Sequence, residues 1–149
     1  MPTKQTVIES VAKVLIIDNE NRVLTLVLGE HLKYPEKSYR PDLPGGIVDP
    51  GESELSAVIR EVKEECGFAL DPEKVQPAYS ETAYYEKENK SVTKLLYIAY
   101  VDERRVVKLS WEHSDYRWVT LEDLQAINLQ PFFNNSIKYS IQHKLIRIR

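Results

Sequence analysis

Hydrophobic and polar positions alternate along the chain in a readable order. Residues 6–28, TVIESVAKVLIIDNENRVLTLVL, are rich in Val, Ile, Leu and Thr. DNEN (Asp18 to Asn21) interrupts them as a turn signal, so two strands are predicted. Residues 29–42, GEHLKYPEKSYRPD, have no period and read as a loop. LPGGIVDPGE, 43–52, carries three glycines and two prolines, which a helix interior excludes. SELSAVIREVKEECG, 53–67, is the clearest helix: Ser53 suits an N-cap, Gly67 a C′ position, and Leu55, Val58, Ile59, Val62 and Cys66 make one apolar stripe. Two strand-like runs follow at 75–85 and 91–101. The segment SWEHSDYRWV, 110–119, leads to Thr120, a candidate N-cap for LEDLQAI. A last helix is expected over 130–146. The order of strands and helices predicts an α/β (α+β) chain, a mixed sheet with helices on both faces, in one domain over 1–149.

Composition changes the picture little. The 149 residues have a net charge of −3 and 42% apolar content, the balance of a soluble globule. No basic surface is implied, so duplex nucleic acid and anionic membranes are not expected partners. An anionic substrate would need a local device, such as a metal ion or a small basic cluster. Cys66 is the single cysteine, which excludes a disulfide framework. No charged-then-apolar leader or membrane-length apolar run is visible, so a cytoplasmic location is the default expectation.

REVKEECGF, Arg60 to Phe68, raises a physical question, because Glu61, Glu64 and Glu65 crowd one patch of a helix. Each like-charge pair costs a few tenths of a kcal/mol, and the C-terminal end of a helix disfavours anions. The three glutamates are expected to point away from the apolar stripe, with Arg60 and Lys63 softening their repulsion. A solvated acidic face and a divalent-cation site both account for them. Hard cations take oxygen ligands, and carboxylates one turn apart can share one or two ions.

The surrounding spacing favours the cation site. Gly46, Glu52, Arg60, Glu61, Val62, Glu64, Glu65, Gly67 and Phe68 fall at every fixed position of the Nudix box, so the chain resembles the Nudix hydrolase family over 23 residues. The resemblance implies a Nudix-type mixed β-sheet sandwiched between α-helices. It also implies divalent-metal-dependent hydrolysis of a nucleoside diphosphate linked to another group, with Mg2+ or Mn2+ as cofactor. In family terms Glu61, Glu64 and Glu65 and the carbonyl of Gly45 look like metal ligands. Gly46, Glu52, Arg60 and Gly67 look structural, with Glu52 and Arg60 able to pair.

The general base stays open between a box glutamate, Glu61 or Glu64, and Glu112, whose "EH…YRW" surroundings resemble a late segment of several Nudix enzymes. His113 reads as a positioning or surface residue, and Trp118 and Cys66 as core. Tyr84 and Tyr85 resemble a marker of the dinucleoside polyphosphate branch, and they also suit a plain strand end. With Arg40 they are the candidate substrate-binding residues. The expected partner is a small-molecule nucleotide, and the chain a monomer or homodimer. A nucleotide-sensing module on the same fold is the alternative function, although a sensor has no need of repulsive carboxylates.

Overall fold

The computed structural model describes residues 5–148. The expected span of 1–149 therefore includes five residues outside the described ones. Among the described residues there are seven strands and three α-helices. The strands are β1 (Val7–Ile17), β2 (Arg22–Leu28), β3 (Pro41–Asp42), β4 (Gly45–Ile47), β5 (Val75–Tyr85), β6 (Lys90–Tyr100) and β7 (His113–Thr120). The helices are α1 (Glu54–Cys66), α2 (Leu121–Ala126) and α3 (Pro131–Gln142).

All strands join one mixed sheet. Its main path runs β3-β2-β1-β6-β5, with β4 beside β1 and β7 beside β2. β1 and β6 are parallel along their whole length, and the other pairs are antiparallel. Period-2 alternation sends successive residues to opposite faces. Val14, Ile16, Leu24 and Leu26 pack with Val58 and Val62 of α1 on one face. Leu15, Ile17 and Val23 pack with Leu124 of α2 and with Phe132, Phe133 and Ile137 of α3 on the other. Helices thus cover both faces, as the pattern predicts.

β1 and β2 meet at Ile17 and Val23 beside their turn. Beyond that pair β1 takes β4 as partner and β2 takes β7 and β3. Gly45 and Gly46 open β4 opposite Lys13 and Ala12, and α1 packs against that strand.

The last helix is shorter than expected. It ends at Gln142, and Lys144 adopts a left-handed φ of 54°. The amide of Leu145 then donates to the Ser140 carbonyl, and Leu145 and Ile146 fold back on the core. The apolar residues continue past Gln142, but they pack as a reversed tail rather than as a helical stripe.

Candidate active site

Helix α1 is held at both ends as its sequence predicts. The Ser53 hydroxyl accepts from the Ser56 amide at 3.1 Å, and Gly67 closes the helix at a φ of 79°. Its buried residues are Ala57, Val58, Val62, Cys66 and Glu65, whereas Leu55 and Ile59 are half-buried. The expectation that all three glutamates leave the core is therefore corrected for Glu65, which is 2% exposed. It lies seven residues after Val58 and three after Val62, which returns it to the buried side.

The outer carboxylates gather around Arg60. Its Nε donates to Glu52 at 2.8 Å, and its other nitrogens reach Glu61 at 3.0 Å, Glu64 at 3.3 Å and Asp49 at 3.5 Å. One guanidinium thus offsets most of the repulsion, and no ion pair to Lys63 forms among the described residues. Hydrogen bonds from Arg60 hold the Glu52 carboxyl below its ordinary range. Glu61 is shifted the other way. Burial pushes it up, Arg60 opposes, and the charges of Glu64 and Glu112 push it further. Glu61 also needs Gly46, because a Cβ there would stand 2.7 Å from the Glu61 carboxyl carbon.

The inner set is built on Glu65. The Gly45 amide donates to Glu65 Oε1 at 2.8 Å, and His113 Nδ1 stands 3.5 Å from Glu65 Oε2. His113 Nε2 contacts Asp42 Oδ2 at 3.0 Å. Lys13 Nζ donates to Asp42 at 3.2 Å and to the carbonyls of Leu43 and Gly45 at 3.1 and 3.2 Å. Burial raises Glu65 from an ordinary 4.5 to about 7, against the pull of Lys13, the Gly45 amide and His113. Burial acts on Asp42 in the same sense, but Lys13 and His113 outweigh it and hold Asp42 below its ordinary range. Gly45 has a φ of 129°, and a side chain there would collide with the Ala12 carbonyl, so β4 can pair with β1 at this position only as glycine.

Glu112 lies in the turn immediately before β7. The β2–β7 ladder pairs Val27 with Asp115 and Leu28 with His113, so Ser114 is an extra residue and the strand bulges there. The bulge turns His113 into the core and leaves Glu112 exposed, with its charge felt at Glu61. A family model, the NUDIX domain, matches residues 8–140, which encloses every group described above.

The chain belongs to the Nudix family. It is 37% identical over 90 residues to a Caenorhabditis elegans bis(5'-nucleosyl)-tetraphosphatase (asymmetrical), a match covering 60% of this chain and 64% of that protein. The chain thus spans under two thirds of that relative's length. Among solved structures, a MutT protein from Methanosarcina mazei Go1 has a TM-score of 0.77 at 27% identity, covering 95% of this chain and 99% of that one. An Ap4A hydrolase binary complex from C. elegans has a TM-score of 0.62 at 30% identity, covering 91% and 99%.

Within this Nudix chain Gly45 and the box residue Gly46 open β4, Arg60, Glu61, Glu64 and Glu65 lie on α1, and Glu52 in the loop between them pairs with Arg60. The donor set suits a hard divalent cation, because it is made of carboxylate and carbonyl oxygens, and Glu61 rests against a glycine that leaves it room. Asp42, Glu65 and His113 could also group around an ion, but Lys13 already supplies a cation to Asp42.

Cys66 is buried, and burial pushes its thiol up to about 12, which leaves no nucleophilic thiolate. Tyr84 and Tyr85 lie at the far end of β5, opposite Ser91 and Lys90, with the Tyr84 hydroxyl donating to Asn89 at 2.7 Å. In register they fall beside Val7 and Ile8, several residues along β1 from Lys13 and Gly45. Arg40 lies in the loop before β3, where its Nε donates to the Glu36 carbonyl at 3.0 Å. Trp118 is half-buried against the core.

Sequence reading passed over Lys13 and Asp42. A lysine inside the apolar run VAKVLII was the available signal, since a cation drawn partly out of water requires a partner.

Proposed function

We propose that the protein is a pyrophosphohydrolase that uses water to cleave a phosphoanhydride bond in a nucleoside diphosphate linked to another moiety, with Mg2+ or Mn2+ as cofactor. The observation that carries this reading is the meeting of Glu65 with Gly45 and of Glu61 with Gly46 at the start of β4, with the charges of Glu64 and Glu112 felt at Glu61. Glu61, Glu64, Glu65 and the Gly45 carbonyl would hold the cation. When bound, it supplies positive charge and Lewis acidity toward the diphosphate oxygens.

The chain's own residues do the rest. Arg60 and Glu52 lock the loop to the helix through a two-nitrogen contact. Gly45 positions the inner glutamate through its amide. Glu112 accepts the proton of the attacking water as a new P–O bond forms and the bridging P–O bond breaks, giving two phosphorylated products. The favoured substrates are dinucleoside polyphosphates, because relatives of that activity match this chain. Nucleoside triphosphates and nucleotide sugars are further members of the class. The same reading assigns the work to free nucleotides in the cytoplasm, on a monomer or homodimer, without duplex nucleic acid or membrane.

A screen of dinucleoside polyphosphates, nucleoside triphosphates and nucleotide sugars with Mg2+ or Mn2+ tests it by phosphate or nucleotide release. Hydrolysis of one class, stopped by EDTA, is expected. Tight nucleotide binding without turnover of any class would replace the enzyme with a nucleotide-sensing module.

A further inference from the structure

A hollow of about 260 Å3 lies beside Glu112, walled by Leu28, Gly29, His31, Lys37 and Trp111. Glu112 forms part of its wall, and its charge is felt at Glu61. Trp111 is 91% exposed, although burying a tryptophan ordinarily stabilises a fold. Its backbone is not loose. The Gly29 amide donates to the Glu112 carbonyl at 2.9 Å, and the Ser110 amide to the Glu65 carbonyl at 3.3 Å. The indole is therefore presented on a turn tied both to β2 and to the glutamate helix.

The rest of the lining is equally built. The His31 amide donates to the Ser38 hydroxyl at 2.7 Å, and His31 Nδ1 accepts from the Tyr34 amide at 2.9 Å. With Nδ1 used as an acceptor, neutral His31 carries its proton on Nε2 and offers a donor there. The Lys37 ammonium lies 4.8 Å from the centre of the Tyr34 ring, which steadies it on this loop. The hollow thus combines a flat aromatic face, a hydrogen-bond donor and a cation. Glu30, also on the wall, adds an acceptor suited to a base amino group. The volume falls just below the roughly 300–1,000 Å3 of sites that enclose a drug-sized ligand, so one nucleoside unit fits and a dinucleotide does not.

We propose that this hollow is the nucleobase site of the substrate, with Trp111 as the stacking platform. The inference deepens the hydrolase reading and rests on it for the position of the phosphates. A base on Trp111 places its phosphate chain toward Glu112 and the box glutamates. Stacking is tolerant of base identity, because every base has a π-face.

The experiment uses the full chain, whose two tryptophans are Trp111 and half-buried Trp118. Adenosine monophosphate with Mg2+ is expected to quench the fluorescence of the wild type, and Mg2+-tripolyphosphate is not. Trp111→Phe is expected to abolish the quench while keeping the stacking, with KM within about threefold of wild type. Trp111→Ala is expected to raise KM on the order of tenfold with kcat within about twofold. The site is so exposed that neither variant threatens folding. A quench that persists in Trp111→Phe, or an unchanged KM in Trp111→Ala, overturns the platform. A wild type that hydrolyses nothing, yet is quenched through Trp111, keeps the platform and removes the hydrolase reading instead.

Discussion

Two carboxylate nests stand side by side, and each contains its own cation. In the outer nest Arg60 is shared among Glu52, Glu61, Glu64 and Asp49 near the surface. In the inner nest half-buried Lys13 serves Asp42, and buried His113 stands between the buried carboxylates of Asp42 and Glu65. The outer nest is strong in geometry but screened, since exposed ion pairs contribute at most about 1 kcal/mol each. The inner nest is costly to assemble and costlier to break, since removing one member leaves a buried charge alone. The pair teaches that the three glutamates are not one patch. Glu64 is on the surface, Glu61 is at the boundary, and Glu65 belongs to the core.

The sharpest way to break the comparison is to delete a cation from the inner nest. Lys13→Met leaves Asp42 buried beside His113 and is expected to cost about 3–5 kcal/mol of unfolding free energy. Glu64→Gln in the outer nest is expected to cost less than about 1 kcal/mol. Urea denaturation of both variants decides it, and equal losses would erase the distinction between the nests.

Activity should divide the same helix differently. Glu65→Gln is expected to lower kcat on the order of a thousandfold, about 4 kcal/mol of barrier. Glu54→Gln, one residue into α1 and outside the box, is expected to stay within a few fold. Steady-state rates at saturating Mg2+ test this, and similar losses in both would reduce the helix to generic acidity.

Acid–base linkage sharpens the contrast further. The Glu65 carboxyl titrates near 7 in the folded chain and near 4.5 when unfolded. The protonated form is the one that folding favours. Its contribution is therefore complete below pH 4.5, declines through the interval and is lost above about pH 7, about 3 kcal/mol in all. Asp42 and Glu52 are lowered, so their contributions are present above the ordinary carboxylate range and lost as pH falls through the lowered values. Glu61 shares the direction of Glu65, so the quantity to measure is the difference between wild type and Glu65→Gln in EDTA. That difference should slope between pH 4.5 and 7. A flat difference would mean that Glu65 is not desolvated.

The smallest of these effects concerns exposed Glu112, whose charge is felt at Glu61. Glu112→Gln is expected to lower kcat on the order of a hundredfold with little change in KM, persisting at saturating Mg2+. Recovery at high Mg2+ would make Glu112 an aid to ion occupancy and return the base to Glu61 or Glu64.

Much of this was legible in the chain. The caps at Ser53, Gly67 and Thr120 are local chemistry, and each forms as its residue type predicts. Both hairpins and both helix-covered faces follow from alternation. The box residues were legible from fixed spacing. Glu65 was misplaced because charge suggested solvent, whereas its i+7 relation to Val58 put it in the core. Lys13, Asp42 and His113 come from three strands far apart in sequence, and only the splaying of β1 from β2 and the bulge at Ser114 bring them together. Trp111 escaped notice because exposure on a tied turn is a tertiary property.

The most direct measurement is Mn2+ titration followed by electron paramagnetic resonance on wild type, Glu61→Gln and Glu54→Gln, with nucleotide turnover assayed in parallel in excess EDTA. Wild type and Glu54→Gln should bind the ion alike, Glu61→Gln should bind it at least tenfold more weakly, and EDTA should stop turnover. Equal binding by all three chains, or full turnover in EDTA, would contradict a divalent-cation site built from the box carboxylates.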